Sequence, residues 1–211
     1  PRPDGVTIDM LVLHYTGMKT ARDALERLTD PNGDSRVSAH YLIDEAGVVH
    51  RLVPEDRRAW HAGIAYWRGW RDINDRLIGI ELVNPGHEFG YTPFPDGQMT
   101  ALIDLAPGIM SRHAIPARNV VGHSDIAPDR KTDPGELFDW RQLASAGVGL
   151  WPEPVETDSV TAPGLLRRYG YDPDAATAMS AFQRRFRPAR IDGVADSETA
   201  SLLGGLMRLI D

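Results

Sequence analysis

The chain has no cysteine among its 211 residues. Disulfide staples and thiolate metal sites are therefore excluded, and any metal must be held by nitrogen and oxygen. Also missing is an apolar run long enough for a membrane-spanning helix. Cationic excess is absent as well. With 30 acidic against 23 basic side chains the formal net charge is -7, which argues against non-specific binding to nucleic acid or to an anionic membrane. An uncharged glycan would meet no such obstacle. No nucleophilic serine or cysteine motif appears either.

What is present is ordinary for a globular protein, with 42% hydrophobic and 25% charged residues. Apolar runs at Ile8–Leu13, His40–Asp44, Val48–Val53, Leu77–Val83 and Val120–Gly122 read as strands. Glu45-Ala46-Gly47 supplies a hairpin turn between the second and third. Thr20–Leu28 has helical spacing with Thr20 as N-cap, and Asp30–Asp34 closes it as a loop. Met99–His113 begins as a helix that Pro107-Gly108 should kink or split, and Pro134–Ala144 should hold a short one. Asn84–Gly97, rich in proline and glycine, reads as a long loop at a cleft rim. The fold class expected is α/β, a mixed central sheet flanked by helices, in residues 1–150. Residues 151–160, with two prolines and several acids, read as a linker. Residues 161–211 carry three short amphipathic segments, Ala162–Gly170, Ala175–Phe186 and Ser197–Ile210, and so a small three-helix domain.

The chemistry concentrates where strands end. His14 closes the first strand, and the loop from His123 to Gly135 holds His123, Asp125, Lys131 and Asp133. In open α/β sheets, ligands collect at the carboxyl ends of strands. Two histidines plus a carboxylate would give the three protein ligands that a catalytic zinc requires, with Asp125 and Asp133 competing for the third position. Glu81 lies in an otherwise apolar strand, where a carboxylate needs an ion pair or a chemical task. Tryptophan and arginine crowd the segment from Trp60 to Arg71, with Asn74 just beyond, which suits a groove for sugar rings and an acidic peptide.

The segments Leu13-His14-Tyr15-Thr16-Gly17, Val37-Ser38-Ala39-His40-Tyr41, Ile78-Gly79-Ile80-Glu81 and Gly122-His123-Ser124-Asp125-Ile126-Ala127-Pro128 resemble, in order and spacing, the zinc-dependent N-acetylmuramoyl-L-alanine amidases of type 2, in the AmpD/AmiD-like branch. The resemblance implies Zn2+ held by His14, His123 and Asp133, with Glu81 handling protons and Lys131 stabilising an oxyanion. It favours Asp133 over Asp125. It further implies substrate contacts from His61, and Trp60, Tyr41, Arg71 and Asn74 are taken with it as the groove. His40 is shared by the family without being a ligand, so a buried, hydrogen-bonding role is expected of it. His50, His87 and His113 carry no motif and are expected on the surface or in packing. Where phage-type and animal recognition relatives have a tyrosine before the hairpin-strand histidine, this chain has Ala39, which leaves Glu81 as proton handler.

The implied reaction is hydrolysis of the amide joining the lactyl group of N-acetylmuramic acid to L-alanine, in peptidoglycan or its (anhydro)muropeptide fragments, during wall recycling or remodelling. A phage-type lysin and a non-catalytic peptidoglycan-recognition protein share these features. The C-terminal motifs Leu165–Gly170, Ala181–Arg185 and Ile191–Thr199 resemble peptidoglycan-binding helical domains, and a helical cap that stabilises the catalytic domain is the alternative reading. A monomer in the bacterial envelope is expected. The start at Pro1 fits a leader or lipidated signal removed beforehand, and a cytoplasmic location is the alternative.

Overall fold

The structure, a computed structural model, describes residues 1–30 and 37–211, and most of the expected 30–34 loop lies outside them. In chain order the elements are β1 (Met10–Tyr15), α1 (Ala21–Thr29), β2 (Tyr41–Ile43), β3 (Val49–Arg51), β4 (Tyr66–Trp67), β5 (Trp70–Arg71), β6 (Leu77–Leu82), α2 (Gly86–Phe89), α3 (Asp96–His113), β7 (Val120–Gly122), α4 (His123–Ile126), α5 (Trp140–Ser145), α6 (Ala162–Tyr169), α7 (Ala178–Phe186) and α8 (Ser197–Ile210). Five strands form a mixed sheet in the order β3-β2-β6-β1-β7, and β4 and β5 form a separate two-stranded ribbon. Among the described residues, β2 and β3 pair antiparallel and the other pairings of the large sheet are parallel.

The sheet is covered on both faces, which is why β1 and β6 are apolar almost throughout. Leu11, Leu13, Ile78, Ile80 and Leu82 pack under α3 and α5. Met10, Val12, Leu77 and Val121 pack on the other face with α6, α7 and α8 in one continuous cluster. Because side chains alternate along a strand, His14, Gly79 and Glu81 fall on the same face as Met10, Val12 and Leu77.

Three expectations about the elements are corrected. Pro107 does not split its helix: α3 runs unbroken over 18 residues, its buried positions Leu102, Ala106 and Ile109 holding it to the sheet on both sides of the proline. The 84–97 segment is not wholly loop, since one helical turn, α2, lies inside it and α3 begins at Asp96. Helix α7 starts at Ala178, not Ala175, because Asp129 captures the Ala176 and Thr177 amides before it. The 151–160 segment lies tightly along α8: the Val155 amide donates to the Ser201 carbonyl at 3.0 Å, and a Cβ at Gly205 would sit 2.0 Å from the Glu153 carbonyl oxygen. Among the described residues no helix is long and apolar enough to cross a membrane.

Candidate metal centre and active site

At the carboxyl ends of β1 and β7 three ligand atoms converge. His14 Nδ1 and His123 Nδ1 are 3.0 Å apart, and each lies 3.1 Å from Asp133 Oδ2. All three side chains are buried. His123 Nε2 lies 3.1 Å from the Ala62 carbonyl, a group that only accepts, so Nε2 carries the proton and Nδ1 presents its lone pair. His14 Nε2 lies 2.7 Å from His61 Nδ1, which lets His14 use its outer nitrogen as donor and keep Nδ1 free in the same way. Burial, then the neighbouring His123, brings His14 down to about 4, so it is neutral at pH 7. Burial opposes ionisation of Asp133, but His123 and His14 outweigh it and hold the carboxyl well below the usual range. Two lone pairs and a carboxylate oxygen thus point at one another, an arrangement that a cation satisfies and hydrogen bonding does not. The edges of this triangle are slightly tighter than the roughly 3.3 Å between ligands of a tetrahedral zinc with bonds of about 2.0–2.1 Å. The donor set therefore suits a metal ion.

The loop bearing Asp133 is fixed from several sides. The Ser124 amide donates to the Asp133 carbonyl at 2.8 Å. A Cβ at Gly122 would meet Pro134 Cδ at 2.7 Å, so glycine permits the loop's close approach to β7. The Tyr91 hydroxyl donates to the Pro134 carbonyl at 2.7 Å and accepts from the Leu137 amide at 3.0 Å. Asp125, the competing ligand, is committed elsewhere. Its Oδ2 accepts from the Gly122 amide at 2.8 Å and from Arg185 at 2.7 Å, and its Oδ1 accepts from the Tyr171 hydroxyl.

A cleft of about 400 Å³ opens over the triangle, and His14, His61, Glu81, His123, Lys131 and Asp133 all line it. Among the described residues, Glu81 Oε2 is buried without a hydrogen-bond partner. Burial first, then Asp133, pushes its carboxyl well above the usual range, against the opposing Lys131. A carboxylate so placed can accept and return a proton. Lys131 is exposed at the rim, its side chain facing the cleft.

His61, expected to contact substrate, lines the floor of the cleft. Its ring covers Gly79, where a Cβ would lie 2.1 Å from ring carbon Cε1, and it abuts His14. His40 is fully buried: Nδ1 accepts the Gly79 amide and Nε2 donates to the Arg57 carbonyl, both at 3.0 Å, so it fixes the backbone beneath His61.

Four residues expected in the substrate groove do not line the cleft. Asn74 is buried and accepts the His61 and Ala62 amides at 3.2 and 3.0 Å, so its role is to hold that loop. The Tyr41 hydroxyl donates to Glu55 on the far side of β2. Arg71 pairs with Asp172 at 3.4 Å. Trp60 is 47% exposed, with the Arg58 guanidinium 3.8 Å from its ring centre. His87, expected on the surface or in packing, is exposed, and it also lines the cleft with Tyr15 and Thr132. Its Nδ1 lies 2.9 Å from the Tyr15 hydroxyl, its Nε2 lies 3.1 Å from Glu136, and its ring stacks on Tyr91. The Pro-Gly turn before it was the available sequence signal for a rim position. His50 and His113 pair with Asp44 and Glu55, away from the cleft.

Residues 4–136 match the family described as N-acetylmuramoyl-L-alanine amidase. The N-acetylmuramoyl-L-alanine amidase AmiD of Escherichia coli (strain K12) is 41% identical over 95% of this chain and 82% of its own length. The 1,6-anhydro-N-acetylmuramyl-L-alanine amidase AmpD of the same organism is 41% identical over 67% of this chain and 84% of its own length. The solved complex of E. coli AmiD with anhydro-N-acetylmuramic acid-L-Ala-D-gamma-Glu-L-Lys superposes with a TM-score of 0.86 at 39% identity, covering 99% of this chain and 93% of that one. Given that match and the converging His14, His123 and Asp133, the chain belongs to the N-acetylmuramoyl-L-alanine amidase family.

Proposed function

We propose that the protein is a zinc amidase that hydrolyses the bond between the lactyl carbonyl of N-acetylmuramic acid and the amine of L-alanine, acting on anhydromuramyl peptides and on the wall polymer. The convergence of His14 Nδ1, His123 Nδ1 and Asp133 Oδ2 beneath a cleft that also holds Glu81 carries this reading. When bound there, zinc supplies Lewis acidity toward the scissile carbonyl and toward water. Two neutral imidazoles and one carboxylate leave that ion a net positive charge, as this chemistry requires.

The chain's own groups do the rest. Glu81 takes the proton from attacking water and delivers it to the departing amine of L-alanine, so a single carboxyl serves as base and then acid. Lys131 meets the negative charge that develops on the carbonyl oxygen. His61, Asn74 and His40 keep His14 and the loop before Ala65 in position. Peptide contacts fall to the rim, where His87, Tyr15 and Thr132 offer hydrogen bonds.

The C-terminal helices lead us to place the protein at the bacterial envelope with intact wall as a substrate. Similarity to AmiD extends through these helices, whereas similarity to AmpD stops at 67% of the chain. Mass spectrometry of purified sacculi and of an anhydromuramyl tripeptide, each incubated with the zinc-loaded protein, tests this reading. Stem peptides beginning with L-alanine should appear from both. Cleavage of the tripeptide with sacculi untouched would overturn the wall-directed part.

A further inference from the structure

The metal-bearing loop is held from the C-terminal helices at one buried point. Asp125 lies two residues after the ligand His123, and its Oδ2 accepts the Gly122 amide, the residue before that ligand. Arg185, on α7, forks across this corner: Nη1 donates to Asp125 Oδ2 at 2.7 Å and Nη2 donates to the Val120 carbonyl of β7 at 3.1 Å. The two side chains are 2% and 1% exposed. The Arg185 guanidinium lies 3.9 Å from the Trp140 ring centre, and a Cβ at Gly122 would meet that same ring at 3.2 Å. Tyr171, just after α6, donates its hydroxyl to the other oxygen of Asp125. Among the described residues, the strand that leads into His123 is the sheet's edge and pairs with β1 alone, so the sheet restrains it from one side.

A buried carboxylate held this way is a rigid bracket: Oδ2 takes two donors, Oδ1 takes a third, and the guanidinium reaches it through one arm while the other arm holds Val120. A wall-binding appendage would have no need of such an anchor beside a catalytic ligand. We propose that Arg185, acting through Asp125, is a positioning residue for the metal ligand His123, so that the C-terminal helices form part of the metal centre's support and are not only a wall-binding attachment.

The inference rests on the metal centre proposed above, and its test separates the two. Zinc affinity is measured by chelator competition for wild type, Arg185→Met, Arg185→Lys and Leu203→Ala, the last cutting the same buried cluster from α8, outside the Asp125 hydrogen-bond set. Hydrogen exchange of the metal-free proteins at Ser124–Ala127 is read in parallel. Arg185→Met should lose zinc affinity about 10–100-fold, the range typical for partners behind a metal ligand, and speed exchange at these amides. Its kcat on an anhydromuramyl tripeptide should fall with KM nearly unchanged. Arg185→Lys, which keeps one donor for Asp125 but loses the fork to Val120, should be intermediate and decides by the same criteria if the methionine variant fails to fold. Leu203→Ala should lower the melting temperature without changing zinc affinity. Arginine variants that melt earlier yet bind zinc and exchange like Leu203→Ala would overturn the proposal. A wild type that binds no zinc would overturn the metal centre itself, and this inference with it.

Discussion

Glu81 stands beside His14 in the parallel β1–β6 ladder, one strand across at the same level and on the same face of the sheet. A backbone pairing, rather than a flexible loop, thus sets the distance between a metal ligand and the group assigned to proton transfer. The neighbouring pair Leu13 and Gly122 brings His123 to that level from the other side. Sites built on strands in this way are more exactly held than sites built on loops.

Glu81→Gln keeps the shape of the side chain and removes its proton traffic. We expect kcat to fall by roughly 10²–10⁴-fold while zinc affinity stays within a few-fold, because Glu81 is not a ligand. Steady-state kinetics with a parallel zinc titration checks this, and a variant with wild-type kcat would remove Glu81 from the mechanism.

Lys131→Met should lower kcat by about 10²–10³-fold with little change in the melting temperature, since the ammonium is exposed at the rim and serves charge that develops during reaction. Loss confined to KM would instead make Lys131 a binding group for the acidic peptide.

Gly79→Ala tests the deep layer. The added methyl would sit 2.1–2.6 Å from atoms of the His61 ring. The ring must move, and His14 loses its neighbour at Nε2. A cost of about 1–3 kcal/mol in folding stability is expected from overpacking alone, together with weakened zinc binding. Calorimetry and zinc titration on the same sample separate the two effects, and unchanged zinc affinity would show that His14 needs no support from His61.

Acid stability should depend on Glu55, where the Tyr41 hydroxyl, Arg112 and His113 converge. Burial works against ionisation, but Arg112, Tyr41 and His113 prevail and bring the carboxyl from 4.5 to about 2. In that window the unfolded chain binds the extra proton, so stability present above 4.5 is lost as the pH falls toward 2. Glu55→Gln, measured metal-free, should melt below wild type near neutral pH, with the gap closing as the solution is acidified. Parallel melting curves would contradict it.

The reach of the sequence follows from where each signal lies. His14 and His123 sit in short motifs at strand ends that apolar runs located, whereas the choice of Asp133 over Asp125 came from the family resemblance, so the three ligands were legible only with both. The same holds for Glu81, a lone carboxylate in a buried strand. The groove was not legible, because Arg71 and Asn74 are occupied by partners that no local pattern reveals: Asp172, about a hundred residues later, and the amides of His61 and Ala62. Pro107 misled for the opposite reason, since local helix chemistry gave way to burial on both sides of it. The Asp125–Arg185 bracket joins residues 60 apart in the chain and has no local signature.

The central claim is that this cleft opens one particular amide by adding water to the lactyl carbonyl. An anhydromuramyl tripeptide incubated with the zinc-loaded protein in ¹⁸O-labelled water, followed by mass spectrometry, tests it directly. The account predicts one heavy oxygen in the anhydromuramic acid carboxylate, none in the released tripeptide, and loss of both products on chelation with recovery on adding zinc. Label in the peptide, cleavage within the peptide, or turnover that survives complete zinc removal would contradict it.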